Sequence, residues 1–132
     1  MPAFSASIGW RGAPPDLHGR VETALREGHV WRDGARHPVT PRVALALPGD
    51  VFPILGDPDE LRARDPASFT APEVSGATFT VWEVDVDWFT PPLLPRQTGG
   101  LGVGRAGATL VADARAVTPD EAAAFLAALA AP

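Results

Sequence analysis

The chain has 132 residues, 45% of them hydrophobic and 20% charged, with a net charge of −5. That length and balance describe one globular domain (1–132) able to bury a core without staples. Cysteine is absent, which excludes disulfides, thiol nucleophiles and thiolate metal sites together. All eleven basic residues are Arg, so a P-loop lysine, a kinase-type strand lysine and Schiff-base chemistry are excluded as well. Asparagine and tyrosine are also missing, while Ala, Gly and Pro abound. The codon bias of a GC-rich bacterial genome accounts for this, so the preference for arginine is not read as function. Residues 1–50 hold six Arg and five acids, residues 51–132 five Arg and eleven acids. The acidic C-terminal half weighs against nucleic acid and suits a partner with a basic surface. No basic, apolar leader opens the chain, and the apolar run at 122–131 is too short for a membrane. The cytoplasm is the expected location.

The opening AFSASIGW alternates, with Phe4, Ala6, Ile8 and Trp10 on one side, and predicts a half-buried strand. After two prolines, Asp16 offers a helix N-cap. Leu17, Val21, Ala24 and Leu25 form the helical stripe, with Gly28 as the stop. HVWRDGARHPV predicts a hairpin turning at Asp33-Gly34. A short strand follows over 42–47. Asp57, Pro58 and Glu60 then mark a capped helical turn. ATFTVWEVDVDWF predicts the longest strand, with a phase switch at Trp82 that suggests a bulge. The Pro/Gly stretch 90–107 reads as a mobile connector, the kind of long segment that carries function when it is not merely flexible. ATLVADARAV predicts a strand. Thr118, Pro119 and Glu121 announce a capping box on the final helix. The sum is an α+β two-layer sandwich: an antiparallel or mixed sheet of about five to six strands covered by two main helices.

GVGRAG at 102–107 is a literal G-x-G-x-x-G. A dinucleotide fingerprint needs a strand before it, a helix after it and an acid about 20 residues on. Here ATLVADA follows, which is strand-like, so the motif reads as connector. A minority reading leaves Gly102, Gly104 and Arg105 as an anion contact.

WEVDVDW carries more chemistry. On a strand, Glu83, Asp85 and Asp87 share one side, with neighbours about 7 Å apart, within reach of one Mg²⁺ or Mn²⁺. The alternatives are a solvated face and an acidic docking stripe. Trp31 with Arg32 and Arg36 forms the best aromatic–basic patch, able to stack a base, although a cross-strand Trp–Arg contact is the favoured explanation. His18, His29 and His37 show no shared metal spacing, and Asp16, two positions from His18, does not face it on a helix. In the last helix, Phe125, Leu126 and Leu129 form a stripe, and an uncharged alanine face remains for self-pairing as a homodimer.

The leading expectation is a small non-enzymatic binding or interaction module with no cofactor and no resident metal. Its binding residues would be Glu83, Asp85 and Asp87, Trp31 with Arg36, and Arg105 in the 90–107 loop. A metal-dependent phosphoryl or nucleotidyl enzyme on the three acids stands as an alternative, and a single-stranded nucleic-acid binder on Trp31, Arg32 and Arg36 as a second.

Overall fold

The computed structural model describes residues 3–28, 41–48 and 52–131. The hairpin expected around Asp33-Gly34, and with it Trp31, Arg32, Arg36, His29 and His37, lies outside the described residues.

The elements run β1 (Ala3–Gly9), α1 (Leu17–Thr23, continued by one wider turn over Ala24–Gly28), β2 (Val43–Ala46), β3 (Ile54–Leu55), α2 (Pro58–Ala63), β4 (Phe79–Glu83), β5 (Gly99–Val103), β6 (Gly107–Asp113) and α3 (Pro119–Ala130). The six strands form one mixed sheet in the order β1-β6-β5-β4-β2-β3. β2, β4 and β5 run parallel to one another, while β6 pairs antiparallel with β5 and β1, and β3 antiparallel with β2. The fold is α+β, as the sequence predicts.

Local signals explain where the helices begin. Asp57 accepts from the Glu60 amide at 3.2 Å at the start of α2. The α3 capping box forms in both directions, Glu121 N–H to Thr118 Oγ1 at 3.2 Å and Thr118 N–H to Glu121 Oε1 at 3.1 Å. Asp16 precedes α1 as expected, but it sits in the left-handed region (φ 51°) and its carboxylate caps no amide. Asp tolerates that conformation better than most residues. The Arg20 guanidinium reaches the Leu129 carbonyl at 3.2 Å, so α1 lends a cation to the negative end of α3.

The core lies between the sheet and helices α1 and α3. Val21, Phe79, Val81, Leu101, Leu110, Phe125 and Leu129 are fully buried there. Phe79 meets Phe125 edge-on, ring centroids 5.9 Å apart. On β1, Phe4, Ala6 and Ile8 pack against this core while the intervening residues are exposed, which is the expected alternation.

The other face of β5 is covered by the chain itself. The expected long strand stops at Glu83, where the phase of the apolar residues changes. Beyond Val84, whose amide still reaches the Val103 carbonyl at 3.3 Å, the chain leaves the sheet and crosses β5. Accordingly, 90–107 is not one connector: it contains β5, a strand with two neighbours and buried along its whole length. Gly100, Gly102 and Gly104 alternate along this face. A Cβ at Gly102 would run into the Phe89 carbonyl, and one at Gly104 into the Asp87 carbonyl; at Gly100 the Pro92 oxygen would be 3.3 Å away. The glycines of GVGRAG are therefore required by backbone lying on backbone.

Those contacts generate a test. Gly104→Ala forces a methyl onto the Asp87 backbone, and we expect a loss of about 2–3 kcal/mol in urea unfolding, the range of a strained overpacked site. Gly56→Ala meets only ordinary contact with Leu61 and should change stability by less than about 1 kcal/mol.

Candidate functional site

One cavity of about 620 Å³ opens where α1, α2 and the ends of β4 and β5 converge. Gly12 to His18, apart from Pro15, supply one wall, and Pro48, Pro58, Asp59 and Arg62 another. Glu83, Val84, Val103, Gly104 and Arg105 complete it. The volume suits a small organic molecule.

Two ion pairs organise the charge. Arg62 donates both terminal nitrogens to Glu83, at 2.6 and 2.7 Å. This fork ties α2 to the end of β4, and Glu83 is the more buried partner. Arg105 bridges the crossing segment, with Nη1 2.8 Å from Asp85 and Nε 3.2 Å from Asp87. Both acids and the arginine are exposed there, so the pair orients side chains and contributes little to stability.

His18 lies on the first turn of α1 and is 3% exposed. Its Nδ1 stands 3.4 Å from Glu22 Oε1, one helical turn on. Nε2 is buried and has no hydrogen-bond partner among the described residues. Burial pushes the His18 pKa below its ordinary 6.5, outweighing Glu22 and the Val43 backbone, which pull it up. The ring also feels the charges of Arg62 and Glu83, the pair bordering the same cavity.

The acids expected to share one strand face are divided. Glu83 belongs to Arg62, and Asp85 and Asp87 belong to Arg105, because the chain leaves the sheet between them. Among the described residues no group of three His, Asp or Glu could hold a metal ion. The metal-enzyme alternative loses its geometric basis with that division. Of the sequence candidates, Glu83 and Arg105 border the cavity; Asp85 and Asp87 do not. His18 borders the cavity although its spacing from Asp16 gives no sign of it. The legible signal was the i,i+4 spacing to Glu22. Arg62 carried no local signal, since its partner is 21 residues away.

The glycine loop has no amides to offer a phosphate. Gly104 N–H donates to Gly107 at 2.9 Å, Arg105 N–H to Val86 at 2.9 Å and Ala106 N–H to Asp87 at 3.0 Å. Calorimetry with ATP or NAD should show no binding that Gly104→Val abolishes.

No family model matches the chain, and no curated protein matches it in sequence. Solved structures do match in fold. The cubic core of the pyruvate dehydrogenase multienzyme complex is 14% identical, with a TM-score of 0.64 over 98% of this chain and 80% of that one. A truncated catalytic core of the 2-oxoacid dehydrogenase multienzyme complex from Thermoplasma acidophilum is 16% identical, with a TM-score of 0.62 over 98% and 85%. The dihydrolipoamide acetyltransferase of Azotobacter vinelandii is 12% identical, with a TM-score of 0.60 over 98% and 80%. At these identities the likeness is one of fold. It overturns the expectation of a small interaction module, because the architecture is one found in the cores of enzyme assemblies. For the Azotobacter enzyme, a serine, a histidine and an asparagine are named in the catalytic mechanism, the last two four positions apart. The present sequence has no asparagine, and His18 has Glu22 at that spacing. Among the described residues, no helix is long and apolar enough to cross a membrane.

The buried imidazole gives a signed pH prediction. With its folded pKa below 6.5, the unfolded chain binds more protons in that range, so stability falls as pH drops through 6.5 toward the folded value. Urea midpoints at pH 7.5 and 5.5 should differ more in the native chain than in His18→Gln; equal differences would show that the ring titrates normally.

Proposed function

We propose that this chain is a core-building subunit of an acyl-transfer multienzyme assembly of the 2-oxoacid dehydrogenase type. In this reading it contributes architecture and a ligand cavity rather than serine–histidine–asparagine chemistry. The observation that carries the reading is the extent of the fold: 98% of this chain overlays 80–85% of two complex cores and of a dihydrolipoamide acetyltransferase. A shared fold alone does not transfer chemistry, which resides in particular side chains. Here the set named for the Azotobacter enzyme cannot be completed, because asparagine is absent, and the one described histidine is buried against its own helix partner. The surface supports self-association. Ala123, Ala124, Ala127 and Ala128 are exposed on α3, as the alanine-rich run predicts, and Val86 and Trp88 are exposed on the crossing segment. Small side chains let a neighbouring element approach closely, and an exposed tryptophan is a common anchor at interfaces.

Light scattering behind a sizing column, on the native chain at tens of micromolar, tests the reading. We expect a mass that is a multiple of the 13.8 kDa protomer, with more than two copies. Replacing Ala124 and Ala128 by Glu should lower that mass without unfolding the protomer. A clean 13.8 kDa species would overturn the assembly reading. Acetyl transfer from an acetyl thioester to dihydrolipoamide by the isolated chain should stay at background; transfer above it would overturn the division between architecture and chemistry.

A further inference from the structure

The two edges of the sheet are built differently. At one, β3 is two residues long, and its Leu55 N–H already donates to the Glu73 carbonyl at 2.8 Å, while Glu73 N–H returns to Pro53 at 3.0 Å. The chain closes that edge itself. At the other, β1 presents seven residues, AFSASIG, and among the described residues no strand pairs beyond it. Edge strands are ordinarily kept short, charged, bulged or interrupted by proline, because their unpaired amides and carbonyls recruit another strand. β1 carries no charge and no proline, and its register with β6 runs without a bulge.

The ladder behind β1 fixes the hydrogen-bond phase of its free edge. Asp113 N–H donates to Thr98 at 2.9 Å and Gly104 N–H to Gly107 at 2.9 Å, so the odd-numbered residues of β6 bond toward β5. Trp10 N–H donates to Ala106 at 2.9 Å, so the even-numbered residues bond across the β1–β6 pair. Bonding direction alternates along an antiparallel strand. Ala3, Ser5, Ser7 and Gly9 therefore turn their amides and carbonyls outward.

This edge is complementary to itself. Turned antiparallel about Ala6, a second copy sets Ser5 opposite Ser7, Ala3 opposite Gly9, Phe4 opposite Ile8, and Ala6 opposite Ala6. The outward-bonding residues then face one another, so the Ser5–Ser7 and Ala3–Gly9 pairs each exchange two backbone hydrogen bonds. Phe4 and Ile8 are only partly buried against the core, and they gain cover by meeting across the seam. Each chain has a net charge of −5, but the seven residues of the seam bring none of it together. In the helix layer, α3 packs on β1 whereas α1 packs on β2, so α3 is the helix beside the seam. Its exposed Ala123, Ala124, Ala127 and Ala128 let a second α3 approach closely. Seven residues span about 24 Å and a sheet with its helix layer is about 20 Å deep, which gives about 1,000 Å² over both copies, the threshold of a specific interface.

We propose that the free edge of β1 pairs antiparallel with the β1 edge of a second copy, about a twofold axis at Ala6, so that one sheet runs through both protomers. The proposal rests on the self-association of the assembly reading and names one contact by which copies meet.

The full chain has no cysteine, so a single introduced thiol reports the register. Directly opposed residues outside the hydrogen-bonded pairs have Cα atoms about 4.5 Å apart, within disulfide range. Ala6→Cys should form a disulfide-linked pair under mild oxidation. Ala3→Cys is exposed, but its two copies would lie about 20 Å apart, and it should link far more slowly. Ser5 and Ser7 are exposed, so Ser5→Glu with Ser7→Glu should leave the protomer folded by circular dichroism while like charges across the seam lower the mass seen by light scattering. Ser5→Arg with Ser7→Arg should act alike, and mixing the two variants should restore association through pairs of unlike chains. In the native chain, exchange of the Ser5 and Ser7 amides should quicken on dilution. Equal linking of Ala3→Cys and Ala6→Cys, a mass unchanged by the Glu pair, no recovery on mixing, or amide protection indifferent to dilution would overturn the proposal. An assembly of more than two copies without the Ala6→Cys link overturns this contact and leaves the assembly reading standing. A species of two copies that does link supports this contact and overturns the assembly reading.

Discussion

The close passage of residues 84–92 over β5 is the contact on which the rest of the molecule depends. Parallel neighbours such as β4 and β5 need a connection that leaves the sheet and returns, and an α-helix normally provides it. Here an extended segment does so, lying directly on the strand it leads into. The backbone can lie that close only because Gly100, Gly102 and Gly104 present no side chains on that face. The opposite face of the same strand carries Leu101 and Val103 into the core. β5 is thus a strand with one apolar face and one face of bare backbone. The amides of Arg105 and Ala106 close onto the crossing segment at Val86 and Asp87, so the crossing is hydrogen-bonded as well as packed.

The crossing also dictates the electrostatics of the site. By pulling the chain off the sheet after Glu83, it sends three sequential acids to two different arginines. Glu83 stays at the end of β4 and meets Arg62 from α2, whereas Asp85 and Asp87 travel with the crossing segment to Arg105. The pair at Arg105 is exposed, and its effect is to orient groups rather than to stabilise the fold. The Arg62–Glu83 fork is half-buried and joins two elements, so it sets the spacing of the cavity walls. His18 is buried beside the cavity, and burial lowers its pKa against the pull of Glu22 and the Val43 backbone.

The amphipathic signals were legible in the sequence, and the crossing was not. The alternation of Phe4, Ala6 and Ile8, the stripe of Leu17, Val21 and Leu25, and the capping box at Thr118 and Glu121 each state a local preference that the packed structure keeps. The phase change at Trp82 marked the end of β4, though it reads as a bulge when only one strand is considered. The stretch around 99–107 was misleading for a physical reason. Glycine and proline ordinarily signal loops, because they lack packing atoms or a donor. In β5 the missing side chains are the adaptation that lets another segment pack. The alternation of glycine at every second position was the available sign, a period-two pattern written in absent side chains. The Arg62–Glu83 pair had no such sign, because nothing local links residues 21 apart.

The fold and the site carry different kinds of information about function. The fold is similar to those of two dehydrogenase-complex cores and of a dihydrolipoamide acetyltransferase at identities of 12–16%, so the architecture tolerates replacement of most side chains. The present chain has no asparagine, and its one described histidine lies beside a carboxylate on its own helix. The exposed alanines of α3 fit the same division. Residues that face the core are Phe125, Leu126 and Leu129, while the outward positions after Glu121 carry neither charge nor bulk.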